Sequence, residues 1–248
     1  MKHPIQRILA GSLVALACGA GPAVATTADG LTRGTDVASA SDALDAMIFQ
    51  LVSKNVGTSY QEMYEAVIEV AKATDTNPIS IAESALKETS DAFGGSRYNV
   101  GANLPIGLAN NKGDVFYSPV STALIPHGHT GIYYSQTHIV EAPGPGQSPR
   151  NTLHTNVPVA SGTQKQYVNT TQANRNAAAN LANTYVGRAY NLNFAFNKTA
   201  NGAMNCSQLV WAAYIESVGI DLDSNGGHGV YPSDIRDSGW TVTYQTIQ

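Results

Sequence analysis

The hydrophobic positions change period near residue 98. Before it the spacing is helical. Leu44, Met47, Ile48, Leu51 and Val52 recur at steps of three and four, which predicts a first helix. A second helix opens with a capping box, Ser59 with Glu62, and places Met63, Val67 and Val70 along its length. A third has Asn77 as its cap and Pro78 in its first turn, and Gly94-Gly95-Ser96 closes it. Residues 42–97 therefore read as a helical N-terminal region. It holds no catalytic chemistry and is expected to be a packing appendage rather than a pro-segment over a site. Residues 26–41, ahead of it, are small and polar, the pattern of a flexible leader.

From about Tyr98 the pattern turns to short β-rich runs: Asp114 to Tyr117, Thr130 to Tyr134, Thr137 to Ala142 and Asn156 to Ala160. Ala142 to Pro149 is rich in proline and glycine and reads as a loop. Thr171 to Val186 is Ala- and Asn-rich with helical character, and Gly187 can end it. Arg188 to Ala203 is irregular and aromatic. Cys206 to Val218 is a helix with Leu209, Val210, Ala213 and Tyr214 along one side and Gly219 as its C-terminal cap. Trp240 to Tyr244 alternates as a last strand. No internal repeat is visible. The fold class expected is α+β, with a small, mostly antiparallel sheet packed on helices and residues 98–248 forming one domain.

The N-terminus adds a compartment. Lys2 and Arg7 precede an apolar run from Ile8 to Cys18, too short for a membrane-spanning helix. Ala23-Val24-Ala25 supplies a signal-peptidase pattern, so residues 1–25 read as a signal peptide. Lipid anchoring at Cys18 is the rival reading. Ala15-Leu16-Ala17 lacks the large aliphatic residue usually wanted three positions upstream. The expected location is periplasmic or extracellular, with no later segment long and apolar enough to span a membrane. Removal of Lys2 and Arg7 takes the formal charge from −4 to −6, which argues against nucleic acid or an anionic membrane surface as the main partner.

Export also changes the cysteine count. Of the 2 cysteines, Cys18 leaves with the signal and Cys206 stays, with no partner for an internal disulfide. Cys206 stands at a helix start, where unpaired N–H groups and the helix dipole stabilise an anion. A nucleophilic cysteine needs a base, and His127, His129, His138, His154 and His228 are available. His129 opens a core strand, with Gly131 leaving room for a neighbouring chain. His138 has the opposite parity on the next strand. His154 and His228 lie in polar, turn-like surroundings. His127 competes with His129, and the pair has the spacing of two metal ligands on a strand, but no third ligand stands at a convincing distance. No metal or cofactor is expected. Glu141 is the best group to orient the base. An odd-length loop at Ser135-Gln136-Thr137 would put Gly131 opposite Glu141 and His129 diagonal to it, on one face.

Three segments also resemble a known family. Gly113-Asp114-Val115-Phe116, His129-Thr130-Gly131-Ile132-Tyr133 and Val140-Glu141-Ala142 are similar to the histidine half of the NlpC-type cell-wall cysteine peptidases. Asn205-Cys206-Ser207-Gln208-Leu209-Val210-Trp211 resembles their cysteine helix, which here comes last in the chain. That order resembles the circularly permuted papain-like branch, which includes the lecithin:retinol acyltransferase type. Tyr231-Pro232-Ser233-Asp234-Ile235 fits the same branch. The resemblance runs from about Gly113 to Trp240 and implies Cys206 as nucleophile, His129 as base and Glu141 as orienting group. It implies a secreted cysteine hydrolase of amide bonds, with cell-wall peptides as substrate. Gly187 and Tyr190 fit a glycine–tyrosine feature of the branch, so Tyr190 is a candidate substrate contact, as are His127 and Asn205. The family more often has tyrosine or aspartate before the cysteine and glutamate two after it, where this chain has Asn205 and Gln208. Two other readings use the same scaffold. One is a lipid ester or amide hydrolase or acyltransferase, with Tyr190 to Phe196 lining an acyl pocket. The other is an inactive secreted binding module.

Overall fold

A computed structural model describes residues 29–55, 58–94, 104–120 and 128–248. The signal segment 1–25 lies outside the described residues. The chain divides into two units, Met1–Ser39 and Ala40–Gln248, and the second carries everything that follows.

Three helices come first: α1 (Asp29–Lys54), α2 (Tyr60–Thr74) and α3 (Pro78–Gly94). Helix α1 starts inside the stretch expected to be a flexible leader. That stretch has no proline, and a nucleated helix gains one bond for each residue it adds. The expected caps are present: Ser59 and Glu62 form the box on α2, and Asn77 Oδ1 accepts from Ile79 N at 2.9 Å. Leu44, Ile48 and Leu51 pack with Met63 and Val67 of α2 and with Ile81 and Ala85 of α3. This core continues into Ala195 and Phe196, far along the chain. Buried hydrogen bonds join the same parts: Phe194 N donates to Asn55 Oδ1 at 3.0 Å, and the Thr89 and Tyr231 hydroxyls lie 2.9 Å apart.

The sheet has six antiparallel strands in the order β5 (Arg150–Leu153), β4 (His138–Glu141), β3 (His129–Tyr133), β2 (Val115–Ser118), β7 (Thr163–Val168) and β8 (Thr241–Ile247). A small pair, β1 (Leu104–Pro105) with β6 (Pro158–Val159), stands apart from it. Alternation along the strands divides the sheet into two faces. Val115, Ile132 and Val140 face helices α4 (Gln172–Asn183) and α5 (Cys206–Val218). Phe116, Tyr133 and Ile139 pack on the other side with Ile106, Val157 and Val159. Covering both faces explains why all of β2 is buried. The short helix α6 (Pro232–Asp237) follows α5 and precedes β8.

Strands β5 and β7 did not figure among the expected ones. Strand β7 reads Thr-Gln-Lys-Gln-Tyr-Val, yet Thr163, Lys165 and Gln166 are buried. Their polar ends are absorbed by hydrogen bonds: Lys165 Nζ donates to Leu108 O at 2.5 Å and Gln166 Nε2 to Arg236 O at 2.9 Å. Strand β5 is at the sheet edge, where no residue is fully buried and no hydrophobic alternation is needed.

The loop after α5 is organised around a lysine. Lys198 pairs with Asp223, whose side chain is 0% exposed, and donates to Gly227 O at 2.5 Å. Side-chain carbonyls of Asp221, Asp223 and Asn225 each accept from the backbone two residues on. Removing one partner of a buried ion pair strands the other charge. Lys198→Met should therefore lower stability by about 3–5 kcal/mol, seen as a lower urea midpoint at unchanged slope. Adding Asp223→Asn to that variant should recover part of the loss.

Candidate active site

The start of α5 is clamped before its chemistry is considered. Asn205 is extended, and its Oδ1 accepts from Gln208 N at 3.0 Å, while Gln208 Oε1 accepts from Asn205 N at 3.3 Å. This reciprocal cap satisfies two helix-end donors. The 191–199 segment holds both residues in turn. Asn191 Nδ2 donates to Gln208 Oε1 at 2.8 Å, Gln208 Nε2 donates to Thr199 O at 2.9 Å, and Asn205 Nδ2 donates to Asn193 O at 3.3 Å. The result fixes Cys206 as the first residue of the helix, with its side chain against the sheet. Cys206 is 1% exposed.

The histidine comes from the facing strand. Strands β3 and β4 pair Ile132 with Val140 and Tyr133 with Ile139, the register that a three-residue loop requires. His129 and Glu141 thus share a face, and His129 Nε2 lies 2.7 Å from Glu141 Oε2. Gly131 sits between them in chain terms. A Cβ there would lie 2.8 Å from Phe116 and 3.0 Å from Val140 O, so only glycine lets these strands close up. The Phe116 ring meets the imidazole edge-on at 5.6 Å. With Nε2 given to Glu141, Nδ1 is the nitrogen left for Cys206, which hydrogen-bonds to His129.

The electrostatics follow from this packing. Burial acts to lower the His129 pKa. Hydrogen bonds to Cys206 and Glu141, and their negative charge, outweigh it and raise the pKa to about 10. Burial pushes the Glu141 carboxyl up, but His129 and Arg150 together hold it below the usual carboxylate range. Tyr190 lies beside Cys206. Burial, then the charge of Cys206, pushes its phenol well above the ordinary value, so it keeps its proton as a donor.

The structure therefore brings Cys206, His129 and Glu141 together and places Tyr190 next to them. Asn205 departs from the expected substrate contact: it is 0% exposed and spends its side chain on the helix cap. His127 lies outside the described residues. His138 turns away, with Nδ1 3.0 Å from Thr137 Oγ1, and His228 stacks on Phe196 at 5.7 Å. The aromatic acyl pocket is not formed as expected, since Phe194 lies in the main core and Phe196 packs on the helical one. Two cavities instead meet at Tyr190. One of about 340 Å³ lies against Gln147 and Leu192, and one of about 260 Å³ is walled by Asn191, Asn193, Thr58 and Glu62. Sequence reasoning missed Arg150, which donates to Glu141 through both Nε and Nη2. Its one signal was a lone arginine after the proline-rich loop.

A reactive cysteine at a helix start facing a histidine on a sheet defines a papain-like arrangement, with the helix here following the histidine strand. The sequence profile of the permuted papain-like amidase enzymes, the YaeF/YiiX or C92 family, matches residues 110–245. The chain belongs to that family and is a cysteine amidase-type hydrolase. It is 32% identical over 210 residues to the uncharacterized protein YycO of Bacillus subtilis (strain 168), across 80% of this chain and 85% of that one. Among solved structures, the metalloprotein yiiX of Escherichia coli O157:H7 aligns with 55% of this chain and 97% of its own at a TM-score of 0.42 and 16% identity.

The His129 pKa carries a sign. The imidazolium persists at neutral pH and is lost as pH rises through about 10. Against an unfolded value of about 6.5, its contribution to stability is complete below that value and disappears between there and about 10. Ring ¹⁵N shifts should report a charged His129 at pH 8, and Glu141→Gln should move its titration to lower pH.

Proposed function

We propose that Cys206, His129 and Glu141 act as the catalytic triad of an exported enzyme that hydrolyses peptide amides of the cell wall. The observation that carries this reading is the single chain of contacts from Glu141 through His129 to Cys206 at the start of α5. In the resting pair the proton sits on His129 and the charge on Cys206 Sγ. The thiolate attacks the amide carbonyl carbon, and the N-terminal N–H groups of α5 face the oxyanion that forms. His129 gives its proton to the amine as the C–N bond breaks, leaving a thioester. It then takes a proton from water, whose hydroxide attacks the thioester carbonyl. Collapse releases the acid and restores the ion pair. Tyr190, protonated and between the two cavities, is placed to hold the substrate beside Sγ.

The cell-wall substrate and the export rest on the family resemblance and on the pattern of residues 1–25. Cys206→Ala should fold normally and lose turnover of peptidoglycan fragments by at least about 10³-fold, the usual scale for removing a nucleophile. Undiminished turnover would sink the triad. Acyl esters assayed beside the peptide amides decide the substrate class, and faster ester cleavage would reverse the assignment. Protein recovered from the cell envelope or medium should begin at Thr26. An unprocessed cytoplasmic chain would contradict export.

A further inference from the structure

Glu141 divides its two oxygens between partners. Oε2 faces His129, and Oε1 accepts from Arg150 Nε at 2.9 Å and Nη2 at 2.7 Å. The Glu141 side chain is 3% exposed, so both contacts are made away from water on the carboxylate side. Arg150 stands directly across from Glu141 in the β4–β5 register. Its Nη2 also reaches Asn156 O at 3.2 Å, which ties the guanidinium to backbone past the end of β5. A carboxylate turns easily about its last torsion. Here, turning it would break two charge-assisted bonds on Oε1 at once.

We infer that Arg150 is a positioning residue for the amidase reaction, clamping Oε1 of Glu141 so that Oε2 alone meets His129 and the imidazole keeps Nδ1 toward Cys206. The inference rests on the triad proposed above. Arg150 touches no reacting atom, so its effect passes through Glu141 and then His129. Among the described residues, the titratable groups acting on Glu141 are His129 from β3 and Arg150 from β5, while Cys206 acts on His129 from α5. Burial alone would push Glu141 toward its neutral form, and a neutral carboxyl would no longer hold the imidazolium. Arg150 thus has two duties, to orient the carboxylate and to keep it charged. Lysine can serve only the second, because a single ammonium lacks the planar fork.

The Arg150 side chain is 41% exposed, so a small guanidinium ion can reach its place once the side chain is gone. The test is the pH dependence of Cys206 alkylation by iodoacetamide on the intact chain, followed by mass spectrometry, which needs no substrate. The wild-type protein should react fast at about pH 6. Arg150→Ala should react about tenfold more slowly there, the scale of a lost charge-assisted hydrogen bond, with its acid limb moved to higher pH. Added ethylguanidinium should restore the rate. Arg150→Lys should restore the acid limb but only part of the rate. On an amide substrate, Arg150→Ala should lower kcat and leave KM unchanged. A folded Arg150→Ala protein with the wild-type profile overturns the inference. If the alanine variant does not fold, a lysine variant with full wild-type rate and kcat overturns it instead. A wild-type thiol that reacts only after unfolding overturns the triad itself, and so separates the two failures.

Discussion

The 2.7 Å hydrogen bond between His129 and Glu141 is the contact on which the rest of the site depends. It exists because two adjacent strands are in one register and not in the next. A one-residue slip would turn Glu141 to the opposite face, into the packing of Ile139 and Tyr133, and leave a buried carboxylate with no partner. The three-residue loop between β3 and β4 sets that register, and Gly131 permits it by letting Phe116 and Val140 approach. The imidazole is then presented to helix α5 with one nitrogen committed and one nitrogen free for sulfur.

The helix meets it from a frame of amides. Asn191, Asn193, Asn197, Asn205 and Gln208 are joined in one buried network around the first turn of α5. Such a network is costly if half-made and rigid if complete. It gives the irregular 191–199 segment a purpose that its sequence conceals. That segment also carries Ala195 and Phe196 into the core of the three helices. The helical region is therefore tied to the same backbone that fixes the catalytic helix, and its Thr58 and Glu62 reach a cavity beside Tyr190.

Much of this was legible in sequence, for identifiable reasons. Helix α5 has a cap, a hydrophobic side and a closing Gly219, and it forms over the expected residues. The His129–Glu141 pairing followed from parity alone, because a strand has a period of two and a loop length decides the rest. What escaped notice had no local pattern. Strand β7 is polar because its buried Lys165 and Gln166 find acceptors in Leu108 and Arg236, far away in the chain. Strand β5 is an edge with no buried face, so Arg150 looked like an ordinary loop arginine. Asn205 looked like a substrate contact because it neighbours the nucleophile, yet a helix start demands a cap from that very position.

The central claim is that sulfur, imidazole and carboxylate form one working unit. The most direct measurement is to trap the acyl-enzyme with an activated amide or ester and locate the adduct by peptide mass spectrometry. The account predicts a thioester on Cys206 that forms and turns over in the wild-type protein and does not form in His129→Ala. An adduct on another residue, or one that forms on Cys206 at the same rate without His129, would contradict it.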